Sequence, residues 1–430
     1  MAYLFEEAKI AYVKGLQVLD SRGDPAVEVT IVTEGGGIGK AIAPAGASKG
    51  KYEAVEIRDT NLKAYKGRGV YTAIRNVNTV ISNALIGLNA VNYRYVDRKL
   101  IELDGTPNKS KLGVNAVTAT SLANIKAASD TLGLPLFVFL GGFTARTLPV
   151  PMMNIINGGL HAGNELSIQE FMIMPINADK FSEALRMAVE VYKELKNYLK
   201  NKYGALAVNV GDEGGFAPPM KETAEALDAL VESIKLAGYE PGKDILIALD
   251  CAATQFYDSK SGKYRIDCKE LGKDELIKFY KELCERYPIF SIEDPLHEED
   301  FEGFKELRSL LKGKPKIIGD DLTVTNIERV KKAIDVGAID GVIIKVNQVG
   351  TVSEVEDVIK LVRGEGLIAI VSHRSGESED VSIAHLAVGF STGFIKTGAP
   401  ARGERTVKYN ELLRIEDWLG EESTYFGKKL

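Results

Sequence analysis

The 430-residue sequence predicts an α/β fold: a C-terminal (β/α)8-type barrel that starts ββαα, preceded by a smaller α+β domain. Three observations predict it. After about residue 149, eight short apolar runs alternate for the most part with helical patterns. Several of these runs end in a charged residue, and the charged tails recur at nearly constant intervals. Before residue 140 the texture differs, with one alternating strand pattern and then a series of helical ones. The division expected from this change is residues 1–140 for the first domain and 141–430 for the barrel.

In the first domain, AVEVTIVT (Ala26 to Thr33) sets Val27, Val29 and Ile31 against Glu28 and Thr30, the period of a half-buried strand. SRGDP before it and EGGG after it are turn signals. With AYVKGLQVL upstream and GIGKAIA downstream, the segment reads as a three-stranded antiparallel meander. GGGIGK (Gly35 to Lys40) looks like a phosphate loop, but it joins two strands and has no Ser or Thr after Lys40, so it reads as a hairpin turn. Helical spacing follows at Ile74, Val77, Ile81 and Leu85, then from about Asn92 to Asp104. An Ala-rich helix is expected over Val114 to Leu132.

The eight later runs are PVPMMN, IQEFMIM, ILIAL, PIFSI, KIIG, GVIIK, LIAIV and GFIK. Strands separated by helices imply a parallel sheet. Eight of them in this length suggest a closed barrel, which takes about 250 residues. Two irregularities stand out. Nothing helical fits NGGLHAGNELS between the first two runs, and two helical patterns fall between the second and third. Glu293, Asp320, Lys345, His373 and Lys396 follow one another at 23 to 28 residues. Each step is about one strand and one helix, so each returns the chain to the same rim. Barrel strands are covered on both faces, which makes them continuously apolar. Their C-terminal ends form the mouth, where barrel active sites lie.

Composition narrows the function class. Apolar residues make up 45% and charged residues 27%, an ordinary globular balance. A net charge of −6 argues against a broad nucleic-acid surface. Cys251, Cys268 and Cys284 are odd in number and lack metal-site spacing, so they read as reduced thiols of a cytoplasmic protein. MAYLFEEAKI has early glutamates and no apolar core, unlike a signal peptide. The apolar stretch from Leu132 to Phe143 is too short for a bilayer and contains Pro and Gly, so no membrane association is expected.

The rim residues carry the chemistry. A single strand-end Asp commonly caps a helix. Asp250, Glu293 and Asp320 at three successive strand ends are different, because converging carboxylates repel unless a cation sits among them. Oxygen donors without His or Cys favour Mg²⁺. Lys345 and Lys396 enter the same mouth, where a cation and each other are expected to depress their pKa and free one as a base. In VGDEGGFAPP, Glu213 is placed as a general acid on a Gly/Pro loop, with Asp212 its structural neighbour. SHRSGES brings together His373, Arg374 and Ser375. Arg374 offers a bidentate grip for phosphate and Ser375 a further donor. Asp294 and Asp321 read as caps or supports, and His161 as a residue of a Gly/Asn loop.

In its motifs the chain resembles the enolase family. DSRGDPAVEV, NGGLHAGNELSIQEFM, VGDEGGFAP, SIEDP, GDDLTVTN, IKVNQVGT, SHRSGESED and IKTGAPARGER stand in the family's order and cover nearly the whole sequence. The resemblance implies reversible dehydration of 2-phospho-D-glycerate to phosphoenolpyruvate in glycolysis and gluconeogenesis. It implies two Mg²⁺ per site, the first on Asp250, Glu293 and Asp320, the second recruited with substrate by Ser48. It makes Lys345 the base at C2 and Glu213 the acid at C3. Glu170 would lie near the C3 hydroxyl and Gln169 against substrate. Lys396 would stabilise the enolate, and Arg374 and Ser375 would hold the phosphate. His161, on a loop at the mouth, would be catalytic and touch substrate, and His373 would touch substrate. It also implies a homodimer or an octamer built of dimers. PAGASKGKYEA departs from the family's usual PSGAS loop at Ala45, Lys49 and Lys51 but keeps Ser48.

Overall fold

A computed structural model describes residues 6–47 and 50–430. Strands β1 (Ile10–Leu19), β2 (Pro25–Thr33) and β3 (Ile38–Ile42) form the antiparallel meander in that order. Val29 pairs with Gly15 on one side and Ala41 on the other. Val27, Val29 and Ile31 are fully buried, as their alternation requires. The GGGIGK segment is the β2–β3 turn. Gly39 has a packing reason: a Cβ there would lie 1.9 Å from the Ala123 carbonyl oxygen. That carbonyl belongs to α2 (Val114–Thr131), which rests on β2 and β3. Tyr71–Asn76 and Ser82–Leu85 are helical turns joined by a π turn over Val77–Ile81, and α1 (Tyr93–Asp104) ends at a left-handed Gly105. Helix α2 is buried on almost every face, between the meander and the C-terminal half, which suits its Ala, Val and Thr content.

The C-terminal half begins with β4 (Val150–Asn157) and β5 (Glu170–Pro175), then α3 (Phe181–Tyr203) and α4 (Thr223–Leu236). After β6 (Ile245–Asp250) come α5 (Lys273–Arg286), β7 (Ile289–Glu293), α6 (Phe301–Leu311), β8 (Lys316–Gly319), α7 (Ile327–Val336) and β9 (Gly341–Ile344). The chain ends through α8 (Val352–Gly364), β10 (Ile368–Ser372), α9 (Ser382–Gly389), β11 (Gly393–Lys396) and α10 (Gly403–Leu419). The eight strands close in the order β7-β8-β9-β10-β11-β4-β5-β6.

One strand departs from the parallel pattern expected of this half. β5 is antiparallel to both β4 and β6. The connection before it holds only one 3-10 turn, Gly159–His161, and a parallel crossover normally needs a helix. The reversal matters for the site, because it carries the first residue of β5 to the rim where the other strands end.

Candidate active site

Strand register assembles the carboxylates. Glu170 is level with Asp250 across β5 and β6, and Asp250 with Glu293 across β6 and β7. Glu293 is level with Ile318 of β8, so Asp320, two residues on, points to the same side. Lys396 ends β11, level with Ser372 at the end of β10. Lys345 follows β9, and His373, Arg374 and Ser375 follow β10. Glu213 enters from the loop between α3 and α4, which is bridged to β4 through Phe216 and Ile156.

These side chains surround one small cavity at the mouth of the barrel. His161, Gln169, Glu170, Glu213, Asp250, Asp320, Lys345, His373, Arg374, Ser375 and Lys396 all line it, with Gly46 and Ser372. Glu293 does not reach the lumen. It is buried behind Lys396, whose Nζ lies 2.9 Å from both of its oxygens. Ser48 lies outside the described residues.

Lys396 Nζ also sits 2.8 Å from Asp250 Oδ2 and 3.2 Å from Glu170 Oε1. Lys345 Nζ donates to Asp320 Oδ2, and Gln348 Nε2 donates to Asp320 Oδ1 at 3.0 Å. The expected depression of the lysines depends on a cation; the protein's own carboxylates act the other way. Burial opposes the charge on each, but Asp320 raises Lys345, and Asp250, Glu170 and Glu293 raise Lys396 well above the ordinary value. The carboxylates divide. Burial, with Asp250 beside it, drives Glu293 well up, and burial with Glu213 beside it does the same for Glu170. Burial also opposes the charge on Glu213, but His161 and Arg405 among its neighbours outweigh it and hold it well below the usual range. Ligand atoms of His161, Glu170 and Glu213 lie within 4.8 Å of one another. Two such close carboxyl groups titrate as a pair, with burial favouring the protonated form of Glu170 and the surrounding cationic groups the ionised form of Glu213.

Asp250, Glu293 and Asp320 are buried hard-oxygen donors of the kind Mg²⁺ takes, but their oxygens do not close into one group here, and Lys396 Nζ lies against Asp250 and Glu293. Glu170 Oε2 and Gln169 Oε1 are buried without hydrogen-bond partners at the same cavity, which adds acceptors. A second compact acidic group is formed by Asp294, Asp320 and Asp321. Asp294 accepts the backbone N–H groups of Asp320 and Asp321 at 2.9 and 2.6 Å, so it shapes the turn that presents Asp320, as its expected supporting role requires.

Several functional neighbours had no separate sequence signal. Asn154 Nδ2 donates to Glu213 Oε2 at 2.9 Å. Arg374 forks onto Glu53 at 2.9 and 3.1 Å and donates to Asn347 at 3.2 Å. Ser375 Oγ accepts from the Ala47 N–H at 2.6 Å. Gln348 and Arg405 do stand inside quoted motifs, IKVNQ and APARGER, but only their partners reveal what they do.

A closed barrel whose mouth pairs buried carboxylates with two lysines, under a covering α+β unit, defines an acid–base enzyme of the enolase-superfamily type. Comparison with known proteins narrows the class. Residues 10–140 match the family described as Enolase, N-terminal domain, and residues 145–430 match Enolase, C-terminal TIM barrel domain. The enolase of Methanococcus maripaludis is 55% identical over 416 residues, 97% of this chain and 96% of the relative. That of Methanocaldococcus jannaschii is 54% identical over 423 residues, 98% of each chain. That of Aeropyrum pernix is 52% identical over 421 residues, 98% of this chain and 97% of the relative. The chain belongs to the enolase family, the phosphopyruvate hydratases, which are carbon–oxygen lyases. Among the described residues no single helix is long and apolar enough to cross a membrane.

Proposed function

We propose that this protein reversibly dehydrates 2-phospho-D-glycerate to phosphoenolpyruvate, with Mg²⁺, in glycolysis and gluconeogenesis. The observation that carries the reading is the meeting, in one cavity, of Lys345 and Lys396, the carboxyl groups of Glu170 and Glu213, and Arg374 with Ser375. Once its partner Asp320 is engaged elsewhere, the Lys345 ammonium gives up a proton to solvent, and the neutral amine takes the C2 proton while the electron pair moves onto the substrate carboxylate as an enolate. Lys396 lies against that carboxylate and supplies positive charge to it. The C3–O bond then breaks, and the leaving hydroxide takes a proton from the Glu170–Glu213 pair and departs as water. Glu213 is the proposed donor, with the proton relayed to it from Glu170, whose protonated form burial favours. Arg374 and Ser375 bind the phosphate, and Gln169, His161 and His373 complete the wall.

Asp250, Glu293 and Asp320 are proposed to hold one Mg²⁺, and Ser48 a second that arrives with substrate. Bound there, the ions neutralise the substrate carboxylate and the charge that grows on it. The active protein is proposed to be a cytoplasmic homodimer, or an octamer of dimers, with its two units divided between residues 140 and 141. The test is 2-phosphoglycerate with purified protein, followed by ultraviolet absorbance of the enol product. A rise that needs Mg²⁺ and disappears on chelation is expected. No rise from folded, Mg²⁺-supplied protein would overturn the reaction.

A further inference from the structure

Arg405 carries an arrangement that its own helix does not explain. It stands in the first turn of α10 and is fully buried. A buried guanidinium is costly unless its donors are met. Its Nε lies 3.7 Å from Glu404 and makes no hydrogen bond. Its two terminal nitrogens leave the helix and reach two loops of the site. Nη1 donates to His373 Nδ1 at 2.6 Å and to the Arg374 carbonyl at 2.8 Å. Nη2 donates to the Ser375 carbonyl at 2.6 Å and to the Asp212 carbonyl at 3.0 Å. One planar group therefore holds the backbone of both residues that grip the phosphate and the residue before the acid Glu213.

The chain makes room for this. Gly398 has φ +82, and a Cβ there would lie 2.8 Å from both Arg405 Cδ and the Glu213 carbonyl oxygen. The Ala399 N–H donates to that Glu213 carbonyl at 2.9 Å, so the strand end beside Arg405 ties down the same loop.

The contact with His373 has a chemical consequence. A guanidinium donates and cannot accept, so His373 Nδ1 must be the bare nitrogen of the ring. The proton of the neutral imidazole then sits on Nε2, which faces Glu213 Oε1 at 3.6 Å. Burial, with Arg405 beside it, keeps the ring neutral by pushing its pKa well below the usual histidine value.

We propose that Arg405 is a positioning residue. It fixes the separation between the phosphate grip at Arg374–Ser375 and the acid at Glu213, and it locks His373 as the Nε2–H tautomer directed at that acid. The proposal rests on the reaction argued above, and its test separates the two.

The chain has only four histidines, so nitrogen-15 labelling of histidine gives a countable spectrum, with His373 assigned by His373→Gln. In the wild-type protein without substrate, His373 is expected to be protonated at Nε2 and bare at Nδ1. The opposite tautomer overturns the proposal without any variant of Arg405. In Arg405→Met, shown folded by thermal melting, His373 should become a tautomer mixture. KM for 2-phosphoglycerate should rise and kcat fall, together costing about 10- to 100-fold in kcat/KM. Arg405→Lys keeps the charge without the fork and should recover only part of that loss. A folded Arg405→Met with wild-type kinetics and a wild-type His373 signal overturns the proposal. If the Met variant does not fold, Arg405→Lys with full wild-type activity overturns it. A correct His373 tautomer in a protein that never dehydrates 2-phosphoglycerate would sink the reaction and uphold the placement of the ring.

Discussion

Lys345 and Glu213 divide the reaction between them, so their variants should fail differently. Lys345 is the side chain placed to take a proton from C2, and Asp320 keeps it charged at rest. A positioned base or acid contributes about 10²- to 10⁴-fold. Lys345→Ala is therefore expected to lose both dehydration and deuterium exchange at C2. Glu213→Gln should lose dehydration by a similar factor yet keep exchange at C2, because Lys345 is untouched. Exchange followed by NMR in deuterated buffer decides between them; a Lys345→Ala protein that exchanges normally removes Lys345 from its role. Asp250, Asp320, Lys345, His373 and Lys396 were legible because each is a charged or titratable side chain at or just after the end of an apolar run, whereas Glu213 and His161 were named from their loops and Gln169 from the resemblance. Glu293 was named for the same reason, but the register that sets it beside Asp250 also places it behind Lys396. Glu53, Asn154 and Arg405 escaped because nothing local marks them. Each acts through a partner at least about 30 residues away in sequence, and only the closed fold shows the pair.

The packing of α9 on α10 offers a pH signature. His385 of α9 lies 3.1 Å from Glu411 of α10 and stacks on Phe137. The hydrogen bond with His385 is the largest influence on Glu411 and, with Arg414, lowers its pKa from 4.5 to about 2. A carboxylate depressed by folding adds stability that is complete above the unfolded pKa and is lost as pH falls through the folded one. The contribution of Glu411 should therefore be present above pH 4.5 and fade towards pH 2. The side chain is partly exposed at 18%, so solvent screening reduces its worth to about 1 kcal/mol. Glu411→Gln should melt lower than wild type at neutral pH, and the gap should close as pH falls through that window. A constant gap would mean that the ion pair contributes only packing. At this scale the helices and barrel strands were legible because period and burial agree. The antiparallel direction of β5 was less so, because apolar content does not encode direction and only the missing helix before it hinted at a reversal. The small sheet of Tyr257–Asp258, Lys263–Ile266 and Lys269–Leu271 was not legible at all. Its strands are too short and too charged for alternation to show.

The two units of the molecule meet along a seam that the sequence could announce only as a change of texture. The segment after β3 lies over the mouth: Ala45 bridges Gly376, and the Ala54 N–H donates to the Gln348 carbonyl. Behind it, Asp97 of α1 is buried against the start of α8 in the barrel. It accepts the Ser353 N–H at 2.9 Å and the Ser121 hydroxyl at 2.6 Å, and that hydroxyl accepts the Val352 N–H at 3.0 Å. Two N–H groups that the helix cannot satisfy itself are thus met from the other unit. Burial raises the Asp97 pKa from 3.8 to about 6, against the pull of Ser121 and Ser353. The folded protein therefore binds more protons than the unfolded chain between those two values. Stability from this group is greatest below the unfolded pKa and declines as pH rises to about 6. The decline is at most about 3 kcal/mol. Asp97→Asn removes the titration while keeping an acceptor for Ser353, so wild type should lose ground to it steadily across that window. Asp97→Ala leaves the Ser353 N–H buried and unmet and should cost about 1–3 kcal/mol at every pH. Melting temperatures of the three proteins from pH 4 to pH 7 test both statements. A wild type that gains on Asp97→Asn as pH rises would show that Asp97 is ionised at the seam, and that charge, not a shared hydrogen-bonded proton, joins the cap to the barrel.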